Sequence, residues 1–115
     1  MGKNDGVTSI DSLKYLHKLV YLDIHSNNVT DISVLRNFPK LVKLVMYKNP
    51  IVDLNPLLNC PELRSLFMHN IAAKDYGALY QMAWLQHLSL SEKAFNKEQA
   101  VALKKALSNT DISFY

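Results

Sequence analysis

Apolar residues recur along this chain as Leu-x-x-Leu-x-apolar, closed three residues later by asparagine. The first copy is Leu19, Leu22, Ile24 and Asn27; the second is Leu41, Leu44, Met46 and Asn49, 22 residues on. Shifting the sequence against itself by 22 residues aligns Leu19, Leu41, Leu63, Leu85 and Leu107 in one column. Leu22, Leu44, Leu66 and Leu88 fill the next, with Thr110 as its odd member, and Ile24, Met46, Met68, Leu90 and Ile112 the third. The connecting segments keep the same step, through Val7, Val29, Ile51, Ala73 and Phe95 and through Leu13, Leu35, Leu57, Leu79 and Val101. A fixed period of this size marks a stacked repeat whose coils each bury one apolar edge against the next. Within each coil, Leu22-x-Ile24 and its equivalents alternate, so these positions predict a strand with both apolar side chains on one face. Stacking the coils aligns the strands in parallel.

The polar positions predict the turns. Asn27 and Asn49 fall where the chain leaves the sheet, and a buried asparagine there can satisfy main-chain groups that no strand pairs. Asp31, Asp53 and Asp75 recur at the same step and are expected to open short 3₁₀ or one-turn helices. Asn37-Phe38-Pro39 and Asn59-Cys60-Pro61 end those turns. The asparagine column decays to Ile71 and Lys93, with Asn70 one place early as a stand-in. From Asn96 the pattern changes: Asn96 and Gln99 are spaced as a capping box, Ala100, Leu103 and Leu107 share a helical face, and Lys104 and Lys105 suit a helix C-terminus. The spacing predicts one full helix over 96–108 and a last edge strand over 110–115.

The chain therefore reads as one domain: a partial repeat over 7–18, repeats over 19–40, 41–62, 63–84 and 85–106, and a final edge segment over 107–115. The strand of the partial repeat would fall at or before residue 3, which leaves the strand at 19–25 as an expected open edge.

The stretch NNVTDISVLRNFPKLVKLVMYKN resembles the 22-residue leucine-rich repeat of bacterial internalins and of the eukaryotic phosphatase-regulator subclass. The resemblance covers residues 7–90 well and 91–115 loosely. It implies an α/β fold: a right-handed solenoid with a parallel sheet on its concave side, short 3₁₀ turns on the convex side and one C-terminal α-helix. It also implies a non-catalytic scaffold that binds a protein partner through the concave strands.

Composition narrows the alternatives. The 115 residues are 49% hydrophobic and 20% charged, a globular balance, and the net charge of +3 comes from scattered basic residues. No Lys/Arg run marks a nucleic-acid surface, and no apolar stretch is long enough to span a bilayer. The polar N-terminus lacks the apolar region of a signal peptide, which favours the cytoplasm and leaves a processed or truncated surface domain open. The one cysteine, Cys60, shares the column of Phe38 and Met82 and reads as core.

With Leu22 and Ile24 inward, the concave face presents Tyr21, Asp23 and His25, then Lys43, Val45 and Tyr47, then Phe67 and His69, then His87. Val45, Tyr47, Phe67 and His69 form its expected centre, ringed by Asp23, Lys43, Arg64 and Glu92. Aromatic and apolar residues on adjoining rungs, with a charged rim, have the make-up of a protein-binding patch. These nine residues are the candidate binding site. His25 and His69 lie two rungs apart, too far to share a metal, and no acid completes a triad with Ser89, Ser91 and His87. The chain is thus expected to be no enzyme and to need no cofactor or metal. A homodimer through the edge strands and a regulatory subunit of a phosphatase-type enzyme are the alternatives.

Overall fold

Tyr21 stands opposite Lys43, Lys43 opposite Ser65, and Ser65 opposite His87, so the 22-residue step of the sequence is the register of the sheet. The computed structural model describes residues 6–115. Its five strands lie parallel in chain order: β1 (Tyr21–Asp23), β2 (Lys43–Val45), β3 (Ser65–Phe67), β4 (His87–Leu90) and β5 (Asp111–Phe114). The convex side carries 3₁₀ turns at Asp11–Leu13, Ser33–Asn37, Asn55–Asn59 and Gly77–Gln81. In the last coil a short turn at Glu92–Ala94 leads into the helix α1 (Lys97–Ala106). The strand expected for the partial first repeat lies outside the described residues.

Sheet and turns enclose a single ladder of apolar side chains. Leu22, Leu44, Leu66 and Leu88, with Ile24, Met46, Met68 and Leu90, line the sheet side; Leu35, Leu57 and Leu79, with Phe38, Cys60 and Met82, line the other. Each fully buried residue of this size contributes about 1.5–3 kcal/mol, which is where the stability of a solenoid resides. Leu16 falls in the column of Phe38 but is 49% exposed, because it lies on the first described coil and has a neighbour on one side only.

The polar columns act as main-chain partners. Asn49 Nδ2 donates to the Ile24 and Met46 carbonyls at 2.9 and 3.1 Å, while its Oδ1 accepts the Val29 N–H at 3.0 Å. Asn27 repeats the arrangement, accepting the Val7 N–H at 3.2 Å and donating to Ile24. The residue before each asparagine position turns through the left-handed region, at Ser26, Lys48 and Asn70 (φ 58°, 59° and 56°). Asn70 does not replace the missing asparagine of its coil: it is exposed, and its N–H reaches Ser91 Oγ. The Ile51 N–H, which an asparagine would have accepted, instead bonds the Asn49 carbonyl at 2.8 Å.

The aspartates work one residue earlier than an N-cap would. Asp31, Asp53 and Asp75 accept the N–H of Ser33, Asn55 and Gly77 at 2.7, 2.9 and 2.8 Å, ahead of the N-cap residues Ile32, Leu54 and Tyr76. This is an Asx turn, a side chain standing in for a turn carbonyl. Ser9 does the same for Asp11 in the first coil, at 3.2 Å. The Ser33 N–H also holds the Asp31 carboxyl below the ordinary aspartate range.

The last coil departs from the sequence columns. His87 pairs with Asp111, Leu88 with Ile112 and Leu90 with Phe114, two residues later than a 22-residue step allows. Ile112 thus follows Leu88 rather than Leu90, and Thr110 precedes the strand, donating its hydroxyl to the Leu85 carbonyl at 2.7 Å. The cause is α1: an α-helix advances 1.5 Å per residue against about 2.0 Å in a 3₁₀ turn, so the same convex span consumes more chain. The helix has the expected capping box, Asn96 Oδ1 accepting the Gln99 N–H at 2.8 Å and Gln99 Oε1 the Asn96 N–H at 2.9 Å. Leu103 and Leu107 are buried. Trp84 packs partly buried against the core, its indole Nε1 enclosed without a hydrogen-bond partner among the described residues.

Candidate functional site

The concave face is built by register. Residues two positions apart on a strand share a face, and equivalent residues on neighbouring strands sit one strand spacing, about 4.8 Å, apart. That spacing is close to the distance at which flat rings stack. His25, Tyr47 and His69 occupy one column just beyond β1, β2 and β3, and their rings stack face to face. The His25 and Tyr47 centroids are 4.7 Å apart with planes 19° from parallel; Tyr47 and His69 are 4.5 Å apart at 10°. Tyr115 completes the row, 4.3 Å from His69 at 22°. The next coil offers only Ser91 at this position, which leaves room for the Tyr115 ring to reach His69 from the far side. Four rings thus line one margin of the sheet.

Each histidine is held by a neighbour. The Asp23 carboxylate accepts the main-chain N–H of His25 at 3.1 Å and also the ring Nδ1–H. Ser89 Oγ accepts the Met68 N–H at 3.1 Å and lies 3.0 Å from His69 Nδ1. The hydroxyl both donates and accepts, so it bonds His69 Nδ1 in either ring tautomer while accepting from Met68. Burial pushes the His69 pKa below the ordinary histidine value, and the charge of Lys48 pushes the same way. Ser89 is only 1% exposed, and no carboxylate contacts His69 among the described residues.

A second cluster lies nearer the start of the strands. Lys43 Nζ is 5.1 Å from the Tyr21 ring centroid and 5.6 Å from that of Phe67, a cation shared between two aromatic faces on neighbouring rungs. Tyr21 is 53% exposed. Val45, expected at the exposed centre of the face, is instead 8% exposed and stands outside the core cluster, flanked in register by Asp23 and Phe67. It is the floor of the face rather than its surface.

The remaining candidates separate. His87 lies on β4 with its Nδ1 3.7 Å from Asp111 Oδ2, both side chains well exposed, and takes no part in the ring stack. Arg64 folds back, its guanidinium donating to the Pro61 and Leu63 carbonyls at 3.2 Å. Glu92 lies in the turn after β4, beside α1. Cys60 is buried, its thiol pushed up to about 11 by burial, with Sγ 3.5 Å from the Leu35 carbonyl. Among the described residues no three His, Cys, Asp or Glu side chains are grouped to hold a metal ion. No helix among them is long and apolar enough to cross a membrane.

Tyr115 is the residue that sequence reasoning missed. A 22-residue step from Ser91 arrives at Ser113; the longer last coil brings Tyr115 there instead. The signal was present in the predicted helix, since a coil carrying a full helix must be longer than one carrying a 3₁₀ turn.

The fold is a leucine-rich repeat solenoid. It is similar over almost its whole length to solved structures of that class. An internalin, inlF, of Listeria monocytogenes matches 97% of this chain with a TM-score of 0.79 and 23% identity. Internalin C2 of the same organism matches 96% with a TM-score of 0.76 and 26% identity, and a leucine-rich repeat protein of Leptospira interrogans 94% with 0.71 and 22%. The chain spans 32%, 48% and 34% of the lengths of these three neighbours. No protein-family model matches the sequence, and no curated protein does.

Proposed function

We propose that this chain is a protein-interaction module whose concave face binds a protein partner. The observation that carries the reading is the organised aromatic surface there. The ring row His25, Tyr47, His69 and Tyr115 lies along one margin, and Lys43 bridges Tyr21 and Phe67 along the other. Rings locked by stacking lose little freedom on binding, so the area they bury is not offset by side-chain ordering. Aromatic residues ringed by charge are the usual anchors of such contacts. The charge of the face is balanced, with Lys43 and Lys48 against Asp23, engaged by His25, and the exposed Asp111 beside His87.

The reading is tested with a photo-crosslinking residue placed at Tyr21 or His87, and at the convex position Val52 as the control. Partner adducts are expected from the concave positions and lost in a Tyr47→Ala, Phe67→Ala double variant of unchanged circular dichroism. Adducts formed mainly from Val52 would move the site to the convex side.

A further inference from the structure

Of the histidines on the concave face, His25 and His87 each stand beside a carboxylate. His25 bonds Asp23 through its ring Nδ1, and His87 Nδ1 lies 3.7 Å from Asp111 Oδ2. A proton taken up by either ring is offset where it lands. His69 is placed differently. It is half-buried in the ring row, 4.5 Å from Tyr47 and 4.3 Å from Tyr115, with Nδ1 3.0 Å from Ser89 Oγ. The charged group acting on it is Lys48, in the turn after β2. The carboxylates of this side are committed elsewhere: Asp23 to His25, Asp111 beside His87, and Glu92, after β4, along the wall of a cavity against α1. Among the described residues, every neighbour of His69 is neutral or positive.

Ser89 adds a second constraint. Its hydroxyl accepts the Met68 N–H at 3.1 Å and is buried, the residue being 1% exposed. A charged imidazole is a donor at both nitrogens, so its Nδ1–H would donate to Ser89 Oγ. The buried hydroxyl proton would then have no acceptor among the described residues, a costly state. The neutral ring in its Nε2–H tautomer accepts that proton instead. What supports a positive charge on His69 is therefore the water at its open edge. Burial and Lys48 already hold its pKa below the ordinary histidine value, and a partner laid on the face removes that water.

Granted the concave-face reading, we propose that His69 makes this interface acid-sensitive: the partner covers a neutral His69 with an uncharged surface and is released when the ring takes up a proton. The charges of the face balance among themselves, Lys43 and Lys48 against Asp23 and Asp111, so complementarity calls for no carboxylate over the ring row. Covering the ring without a counter-charge favours its neutral form further, and the complex then binds fewer protons than the free protein. Affinity is complete above the pKa of His69 in the free protein. Below it, affinity falls by up to about tenfold per pH unit, the slope of one linked proton. His25 and His87 do not act this way, because each keeps its carboxylate.

The test starts from the photo-crosslinking residue at Tyr21, which keeps all the concave histidines in place, and uses the partner recovered as its adduct. The purified pair is titrated by calorimetry at about pH 7.5, about pH 6.5 and about pH 5.5, in buffers of different ionisation heat. Binding is expected to release protons, up to one per complex, and to weaken about three- to tenfold between the highest and the lowest pH. His69→Gln should remove both effects, whatever its affinity at neutral pH, and His25→Gln should keep both. Circular dichroism at the lowest pH separates release from unfolding, and the proton count at the middle pH is independent of it. Proton uptake on binding, which means that the partner brings a carboxylate to His69, overturns the proposal. So does an affinity that ignores pH, or an unchanged pH dependence in His69→Gln. Adducts without pH dependence sink this proposal alone, whereas no adducts at Tyr21 at any of these pH values sink the concave-face reading with it.

Discussion

Tyr115 stacks on His69 at 4.3 Å although a whole coil separates them in the sheet, with Ser91 between. The contact closes the ring row and ties β5 to the third coil through side chains as well as through the ladder. Tyr115 is held in place by its main chain, its N–H bonding Leu90 and its carbonyl accepting the Glu92 N–H, both at 2.8 Å.

Replacing Tyr115 by alanine should therefore cost about 0.5–1.5 kcal/mol, the worth of an aromatic pair, because the backbone bonds survive. Tyr115→Phe should be nearly neutral. Urea titration checks this, with the midpoint falling and the slope unchanged in the alanine variant alone.

Asn49→Ala should be the most damaging polar substitution. Asn49 is 2% exposed, and its amide serves two buried carbonyls and one buried N–H across adjacent coils. Leaving these groups unpaired should cost about 3 kcal/mol. Asn27→Ala should cost less, since its bond to Val7 is only partly buried. Comparing thermal midpoints of the two variants gives the answer.

His69 should make stability depend on pH. Its folded-state pKa lies below the ordinary value of 6.5, so the unfolded chain takes up the proton more readily than the folded one. This contribution is complete above 6.5 and is lost as pH falls through that value toward the lower folded one. Denaturation midpoints measured from neutral to mildly acidic pH should fall more steeply in the parent than in His69→Gln.

Lys48 holds φ at 59°, a conformation that disfavours lysine and that asparagine tolerates. Lys48→Asn should raise stability by a few tenths of a kcal/mol, up to about 1. It should also raise the His69 pKa, because the neighbouring ammonium is gone. Proton NMR of the imidazole resonances reads the second effect independently of the first.

Cys60 should resist thiol reagents in the folded protein. Its thiol is buried and titrates at about 11, so almost no thiolate exists near neutral pH. Reaction with a disulfide reagent should follow global unfolding, accelerating in parallel with added denaturant.

Much of the architecture is legible because repeats report themselves. Leu22, Leu44, Leu66 and Leu88 each face the same surroundings, so a single step of 22 carries strand, inward face and pairing at once. Legibility fails where that equivalence fails. In the last coil a different convex element changes the residue count, and every side chain after it shifts by two positions. Which residues stand on the concave strands was legible, but not how they are arranged there. Nothing in the spacing says that Val45 is covered, that Arg64 turns back on its own coil, or that His87 stands apart with Asp111.

The sequence by itself determined the repeat, the inward ladder, the asparagine columns and the capped helix, because each follows from local periodicity and the chemistry of one residue type. Only the tertiary structure decided which rings touch. That depends on strand spacing, on the small Ser91 leaving a space, and on the extra residues that a helix with a 1.5 Å rise needs to span a coil. These are distances between coils, and a pattern read along one chain does not contain them.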